Sequence, residues 1–139
     1  MTEAVTPPAA PNEVDAQGRP TGSWEERFTN GRVSAVGRYD AGARVGAWTF
    51  WFQNGRVRAR GSYVRGEHDG PWEWFRVDGK PLQSGSFVGG LQDGFWTRHH
   101  STGAILDQGT WDAGTKVGEW RKFDPAGNLV RTTQHRGRA

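Results

Sequence analysis

The chain has 139 residues, of which 34% are hydrophobic, with a mean hydropathy of −0.80 and a formal net charge of +3. This composition is too polar for a deep three-dimensional core. The chain has no cysteine, which excludes disulfides and thiolate chemistry, and no run of 18 apolar residues, which excludes a membrane-spanning helix. Eight Trp and seven Phe accompany 21 glycines, a combination that favours β structure in which rings cover bare backbone.

The first predicted segment is a Pro- and Ala-rich tail, residues 1–21, which has no hydrophobic periodicity and is expected to be disordered. It has no basic region followed by an apolar run, so we do not read it as a signal peptide and expect a cytoplasmic protein. Gly18 precedes Gly42 by 24 residues, which allows a degenerate leading strand from about residue 14.

A 24-residue repeat occupies residues 22–130. Each unit reads GxW, six residues, G, five residues, G-x-aromatic, two residues, G and three residues. Glycine at this density is incompatible with helix, because each interior glycine costs roughly 1 kcal/mol there. We predict an all-β fold, an elongated single-layer antiparallel sheet of stacked β-hairpins with about ten short strands in five repeats, the last one partial. The units begin at Gly22, Gly46, Gly70, Gly94 and Gly118.

Asn54-Gly55 is the predicted two-residue loop of the second unit, with positive φ at both residues. Side chains alternate between the faces of a strand, so the large rings of this unit fall on one face and meet small residues across the hairpin. Trp48 is expected to cover Gly61 in this way. The predicted pairs are Gln53 with Arg56, Phe52 with Val57, Phe50 with Ala59, Trp48 with Gly61, and Gly46 with Tyr63.

The repeat pattern ends after Val130, where Thr133 and His135 replace the expected glycine and aromatic residue. We therefore predict that the fifth unit is a terminal cap and that residues 131–139 form a basic C-terminal tail.

The repeat resembles that of the MORN-repeat family, and in particular the bacterial MORN-repeat-variant proteins often labelled antitoxin component. The resemblance rests on Gly46-Ala-Trp48, Asn54-Gly55, Gly61-Ser-Tyr63 and Gly66, with their equivalents from residue 22 to about 130. It implies stacked hairpins and roles in protein binding, scaffolding and phospholipid contact. Because function is separable from fold, these roles are expectations.

The sequence contains no catalytic motif, and we predict a protein that is not an enzyme and that needs no cofactor and no metal. His99-His100, with Asp93 and Asp107 nearby, is the one tempting cluster. Adjacent strand residues point to opposite faces, so these two histidines are expected to be structural or surface groups rather than ligands of one metal.

One candidate binding surface is basic and lies on the face opposite the repeat's own rings in the first two units. Arg58 is predicted to stand opposite Trp51 across the hairpin. This basic face could receive acidic peptide, phosphate or anionic headgroups, or it could be a solvated face that limits sheet association. Its residues are Arg27, Arg32, Arg38, Trp51, Arg56, Arg58 and Arg60.

A second candidate surface is an apolar strip predicted in the C-terminal half, where Phe75 pairs with Leu82, His99 with Leu106, and Phe123 with Val130. Exposed apolar surface of this kind marks partner sites, so a protein partner or self-association is expected there. The Trp of each GxW is interpreted as core in preference to a ligand groove, although the two roles can coexist. The residues of the apolar strip are Phe75, Leu82, Leu106, Phe123 and Val130.

These observations lead to one principal hypothesis, a non-catalytic protein-protein interaction or scaffold module whose partner is another protein, in an antitoxin or regulatory role. The alternative is peripheral binding to anionic phospholipid. Nucleic acid is the weaker candidate, because residues 22–139 carry 17 basic and 12 acidic residues, a modest excess for that role.

Overall fold

The computed structural model describes residues 11–136 and contains one antiparallel sheet of eleven strands in sequential order. No helix occurs among these residues, and so none that could cross a membrane. The strands are β1 (Glu13–Val14), β2 (Pro20–Arg27), β3 (Val33–Asp40), β4 (Ala43–Trp51), β5 (Val57–Val64), β6 (Glu67–Phe75), β7 (Pro81–Val88), β8 (Leu91–His99), β9 (Ile105–Asp112), β10 (Thr115–Phe123) and β11 (Leu129–Arg136).

The predicted fold class is confirmed: consecutive hairpins form a single all-β sheet. The segment boundaries differ from the prediction at both ends. Strand β2 begins at Pro20, and residues 131–136, predicted as tail, belong to β11, where Trp120 pairs with Thr133. Strand pairing uses backbone groups, so it continues although the glycine and aromatic of the repeat are lost. Disorder was predicted for residues 1–21, with a degenerate strand allowed from about residue 14, but this segment contains β1 and the start of β2, which pair with each other. Residues 1–10 and the tail residues 137–139 lie outside the described residues.

The Asn-Gly loops are longer than predicted. Gly55 N donates to Phe52 O at 3.0 Å and Phe52 N donates to Arg56 O at 2.8 Å, so the loop contains the three residues Gln53 to Gly55. Gly55 has a φ of 89°, whereas Asn54 is not among the residues with positive φ. The Asn54 side chain instead accepts the Arg56 N–H at 2.9 Å. This is the three-residue hairpin loop with a bulged glycine, rather than the two-residue turn.

Two-residue turns with positive φ at both positions occur at the opposite end of the hairpins. Ala41 and Gly42 have φ values of 48° and 89°, and Arg65 and Gly66 have 50° and 81°. These pairs connect β3 to β4 and β5 to β6. The primed turn predicted for Asn54-Gly55 is therefore found at the fourth glycine of the first four units.

A bulge beside each three-residue loop restores the strand register. Trp51 pairs with Val57 while Phe50 pairs with Ala59, so Arg58 is an extra residue between them. The predicted pairs Phe50–Ala59, Trp48–Gly61 and Gly46–Tyr63 are confirmed. The pairs Phe52–Val57 and Gln53–Arg56 are wrong, because the third loop residue shifts the register until the bulge corrects it.

Each GxW sequence from the second unit onward forms a second irregularity, which positions its tryptophan. Arg38 pairs with Val45 and Val36 with Thr49, so Gly37 lies opposite three residues of β4. The Trp48 indole lies on Gly37, and its Nε1 donates to Arg38 O at 3.0 Å. Trp48 thus covers the glycine of the preceding hairpin, and Gly61, which we predicted it would cover, lies under Trp72.

The core is a row of rings on one side of the sheet, here called the aromatic face. Trp48 and Trp72 are 1% and 2% exposed, and Tyr63 packs edge-on between them at centroid distances of 6.3 and 5.1 Å. Burial of one indole stabilises the fold by about 4 to 6 kcal/mol before entropy costs. The core role predicted for the GxW tryptophans agrees with the burial of four of the five. Trp24, in β2 near the short edge strand, is only half-buried.

Candidate functional site

The aromatic face carries a variable line of side chains, here called the central row, that crosses the sheet through paired strand positions. Its N-terminal part is mainly apolar and its C-terminal part is charged. Pairing is continuous from Ala35 with Phe50 to Lys122 with Arg131. In strand order the row contains Glu26, Ala35, Phe50, Ala59, Trp74, Gln83, Arg98, Asp107, Lys122 and Arg131.

The N-terminal part of the central row borders an open depression of about 730 Å³, here called the arginine groove. Its floor and walls are mostly rings and aliphatic groups, and its charged residues are two arginines and one glutamate. An apolar depression with a few polar groups is the usual form of a binding site. The lining residues are Glu26, Phe28, Ser34, Ala35, Arg44, Phe50, Trp51, Phe52, Gln53, Asn54, Arg58 and Val77.

Arg44 is the central cation of the arginine groove. Its Cζ lies 5.0 Å from the Trp48 ring centroid, 5.5 Å from that of Phe50 and 5.6 Å from that of Tyr63. The rings attract the guanidinium through their quadrupoles. The buried Nε of Arg44 has no hydrogen-bond partner in the described part of the chain. A buried unpaired donor is costly, so the rings and not a hydrogen bond hold this part of the Arg44 side chain.

Arg58 is the second cation of the groove, and its position corrects the sequence-based assignment. We predicted it on the opposite face, across from Trp51. Its Cζ instead lies 5.6 Å from the Phe50 centroid, and Trp51 pairs with Val57. The bulge explains the difference, since an extra residue breaks the alternation of side chains between faces. Within residues 11–136, neither Arg58 nor Arg44 forms a salt bridge.

Burial and the charge of Arg44 also change the titration of neighbouring groups. Burial raises the pKa of Tyr63, and the positive charge of Arg44 partly opposes this. His68 lies between the rings of Tyr63, Trp72 and Phe87, at centroid distances of 4.6 to 4.9 Å. Burial lowers the pKa of His68, and the charge of Arg44 lowers it further. Both groups are therefore held neutral near pH 7.

Most of the predicted basic face is occupied by contacts within the sheet. Arg27 bonds Glu25 at 2.8 Å, Arg38 donates to Ser23 Oγ at 3.1 Å, and Arg60 bonds Glu73 at 3.0 Å. Arg32 and Arg56 donate to the carbonyls of Gln53, at 3.3 Å, and Asp78 in the next loop. Of the seven predicted residues, only Arg58 and Trp51 border the arginine groove.

The contacts of Arg32 and Arg56 belong to a series that ties neighbouring loops together. Lys80 Nζ donates to Ser101 O at 3.3 Å, Asn54 Nδ2 to Val77 O at 2.9 Å, and Thr102 Oγ1 to Pro125 O at 2.6 Å. These donors and acceptors are separated by 21 to 23 residues. These side chains therefore link each hairpin to the next one. The sequence-based interpretation missed this structural role.

The predicted pairing of the apolar strip is wrong. Phe75 pairs with Pro81, His99 with Ile105, and Phe123 with Leu129, because the same loop and bulge shift the register in these units. Leu82, Leu106 and Val130 occupy the extra position that Arg58 holds in its hairpin. Phe75 is covered in part by Arg60, whose Cζ lies 5.5 Å from the ring centroid. Val130 is 60% exposed and Leu129 is 55% exposed.

The two adjacent histidines contact backbone carbonyls. His99 Nδ1 lies 3.2 Å from Gly103 O, and His100 Nε2 lies 2.8 Å from Phe123 O. No group of three His, Asp or Glu side chains among residues 11–136 is placed to hold a metal ion. Both imidazoles therefore hydrogen-bond to backbone carbonyls near the loops of the sheet.

Arg44 is the functional candidate that we did not identify from the sequence. It belongs to a set of residues 24 apart, Arg44, His68, Gln92 and Lys116, each paired with the aromatic residue that follows the third glycine of a unit. The residue at this position differs from unit to unit although the position lies on the aromatic face. This variation is the sequence signal that could have identified Arg44.

The fold and the groove define a single-layer β-hairpin repeat protein with an open aromatic face. The chain matches no protein-family model. A comparison with curated proteins also gives no significant match.

Proposed function

We propose that this protein is a non-catalytic interaction module that binds an extended segment of another protein in the arginine groove. The observation that carries the proposal is the pair Arg44 and Arg58, two guanidiniums that lie over Phe50 with no carboxylate partner among the described residues. A single-layer sheet has no second layer to cover this depression, and an apolar depression with a few polar groups is the usual form of a binding site.

The chemistry of the groove indicates which segment it would bind. A carboxylate would form charge-assisted hydrogen bonds with the two guanidiniums. Apolar side chains on either side of that carboxylate would pack on Phe28, Phe50 and Phe52. We therefore propose an acidic residue flanked by aromatic or aliphatic residues as the recognised motif.

The resemblance to MORN-repeat proteins supports the same proposal, since it implies protein binding and scaffolding. An antitoxin role would be one form of it, in which the bound segment belongs to a toxin. The absence of cysteine suits a reducing compartment such as the cytoplasm. Anionic lipid is the competing ligand, and a second copy of this chain is the competing protein.

Selection from a displayed library of random peptides tests the proposal and does not require the natural partner to be identified first. We expect enrichment of peptides with Asp or Glu beside aromatic or aliphatic residues. The selected peptides should bind the Arg58→Glu variant at least tenfold more weakly. Arg38→Glu, which makes the same charge change outside the groove, is the matched control and should bind normally.

Failure to enrich such peptides, or equal loss in the two variants, would overturn the groove as the binding site. Flotation with phosphatidylserine vesicles across a salt series covers the lipid alternative, because salt screens surface attraction. Sedimentation of the free protein covers self-association. Binding to vesicles without enrichment of peptides would identify anionic lipid as the ligand in place of a protein segment. A dimer that Arg58→Glu dissociates would identify a second copy of this chain as the partner.

A further inference from the structure

The C-terminal part of the central row borders a second depression, here called the cationic trough. It consists of two compartments of about 280 and 340 Å³ that share Asp107, Lys116 and Trp120. We propose that the cationic trough binds a soluble phosphate or phosphate ester. This site is separate from the arginine groove, with which it shares no lining residue.

The first argument is an imbalance of charge. The two compartments are lined by five Lys or Arg side chains, Arg98, Lys116, Arg121, Lys122 and Arg131, and by one carboxylate, Asp107. Asp107 is 9% exposed and is already bound, since both its oxygens accept hydrogen bonds from Arg98 at 2.8 and 2.5 Å. Arg121 lies 3.5 Å from Glu119. No described carboxylate forms a salt bridge with Lys116, Lys122 or Arg131.

The second argument is the strand register. Lys122 and Arg131 are direct partners across β10 and β11, an arrangement in which like charges repel. On its other side Lys122 is paired with Asp107, but that carboxylate is bound to Arg98. An anion between Lys122 and Arg131 would turn this repulsion into attraction and would accept charge-assisted hydrogen bonds from both.

The third argument concerns the neighbouring side chains, which favour a phosphate in solution over a lipid surface. Lys116 Nζ is held 4.5 Å from the Trp120 centroid and 5.7 Å from that of Trp111. The adjoining compartment includes the amides of Gln83 and Gln92. The same compartment includes the rings of Trp96, Trp111 and Trp120. It would therefore both hydrogen-bond and pack against a polar organic group such as that of a phosphate ester, which suits a soluble ligand better than an acyl chain.

Inorganic pyrophosphate is the probe. We expect calorimetry at low ionic strength to detect its binding, with the affinity falling at about 0.3 M salt through screening. The Trp120 indole N–H resonance should shift during titration, because Trp120 lines both compartments. The Lys122→Gln/Arg131→Gln double variant should bind at least tenfold more weakly. This change affects neither Arg44 nor Arg58, so its result is independent of the peptide selection above.

Arg27→Gln/Arg38→Gln is the matched control, since each double variant lowers the formal net charge from +3 to +1 and neither arginine lines the arginine groove or the cationic trough. It should retain pyrophosphate binding, and circular dichroism should show that both variants keep the sheet. No binding by the unaltered protein, or equal loss in the two double variants, would overturn the site. Binding to phosphatidylinositol-phosphate vesicles without binding to pyrophosphate would overturn a soluble ligand.

Discussion

The two halves of the aromatic face share one backbone plan and differ in what the central row carries. In the N-terminal half Phe50 and Trp74 continue the stacking of Trp48 and Trp72, with ring centroids 5.5 to 6.4 Å apart. In the C-terminal half the equivalent positions hold Arg98 and Lys122. The lesson is that the glycine–indole contacts preserve the fold, while the central row is free to change from an apolar groove to a charged trough.

The largest expected loss of stability comes from replacing the glycines that lie under the tryptophan rings in both halves. A Cβ at Gly61 would overlap the Trp72 indole, and one at Gly109 would overlap that of Trp120. We expect Gly61→Ala and Gly109→Ala each to lower the free energy of unfolding by about 3 kcal/mol. Denaturant unfolding measures it.

Gly103→Ala is the control for those two substitutions. Gly103 has a φ of 97° and open space around it, so alanine there should cost only about 1 kcal/mol of backbone strain. If Gly61→Ala costs no more than this control, the indole contact is not what requires glycine.

The second largest effect should come from the charged part of the central row. The hydrogen bonds of Asp107 raise the pKa of Arg98, so the pair stabilises the fold. Asp107→Ala should lower the free energy of unfolding by about 1 kcal/mol, a value reduced by the exposure of Arg98. The Arg98→Phe/Asp107→Ala double variant places at these positions the Phe–Ala pair that Phe50 and Ala59 form in the N-terminal half. It should be as stable as the unaltered protein.

Chemical denaturation of the two single variants and the double variant completes that cycle. A double variant less stable than Asp107→Ala would show that the C-terminal half cannot adopt the apolar arrangement, and that the two halves differ in more than the central row.

A smaller effect is expected at the loop ends. Arg56→Gln removes the contact with Asp78 O and should lower the free energy of unfolding by about 0.5 kcal/mol. The same substitution at Arg58, which has no carbonyl contact among the described hydrogen bonds, should be nearly neutral for stability. Equal losses at the two positions would contradict the structural role assigned to Arg56.

The smallest expected effect is the pH dependence due to His68. Its folded pKa is lowered from 6.5, so the unfolded chain binds a proton more readily. The contribution of His68 to stability is therefore fully present above pH 6.5 and is lost as the pH falls below that value. The pKa values of Asp15 and Asp124 are also lowered by backbone hydrogen bonds, but from 3.8, so their contribution is lost at more acidic pH.

Thermal unfolding between about pH 7.5 and 5 measures the His68 contribution. His68→Gln, which cannot be protonated, should show a flatter profile in this range. An unchanged profile would assign the pH dependence to a group other than His68.

Much of the fold was predictable because a 24-residue period with glycines and tryptophans at constant spacing allows few structures. The pairs Trp48–Gly61 and Phe50–Ala59 followed from this spacing and strand alternation. The candidate sites were less predictable. Arg58 was assigned to the wrong face, Arg44 was missed, and the strongest cluster of unpaired cations lies in the C-terminal half rather than the first two units.

The sequence by itself determined the repeat, the all-β class and the sheet of consecutive hairpins, because glycine and aromatic spacing acts locally along each strand. Only the tertiary structure decided which hairpin a side chain contacts. Trp48 covers Gly37, Arg56 reaches Asp78, and Arg58 turns onto Phe50. The physical reason is that loop length and bulges alter the register by single residues, and one residue is enough to move a side chain to the other face.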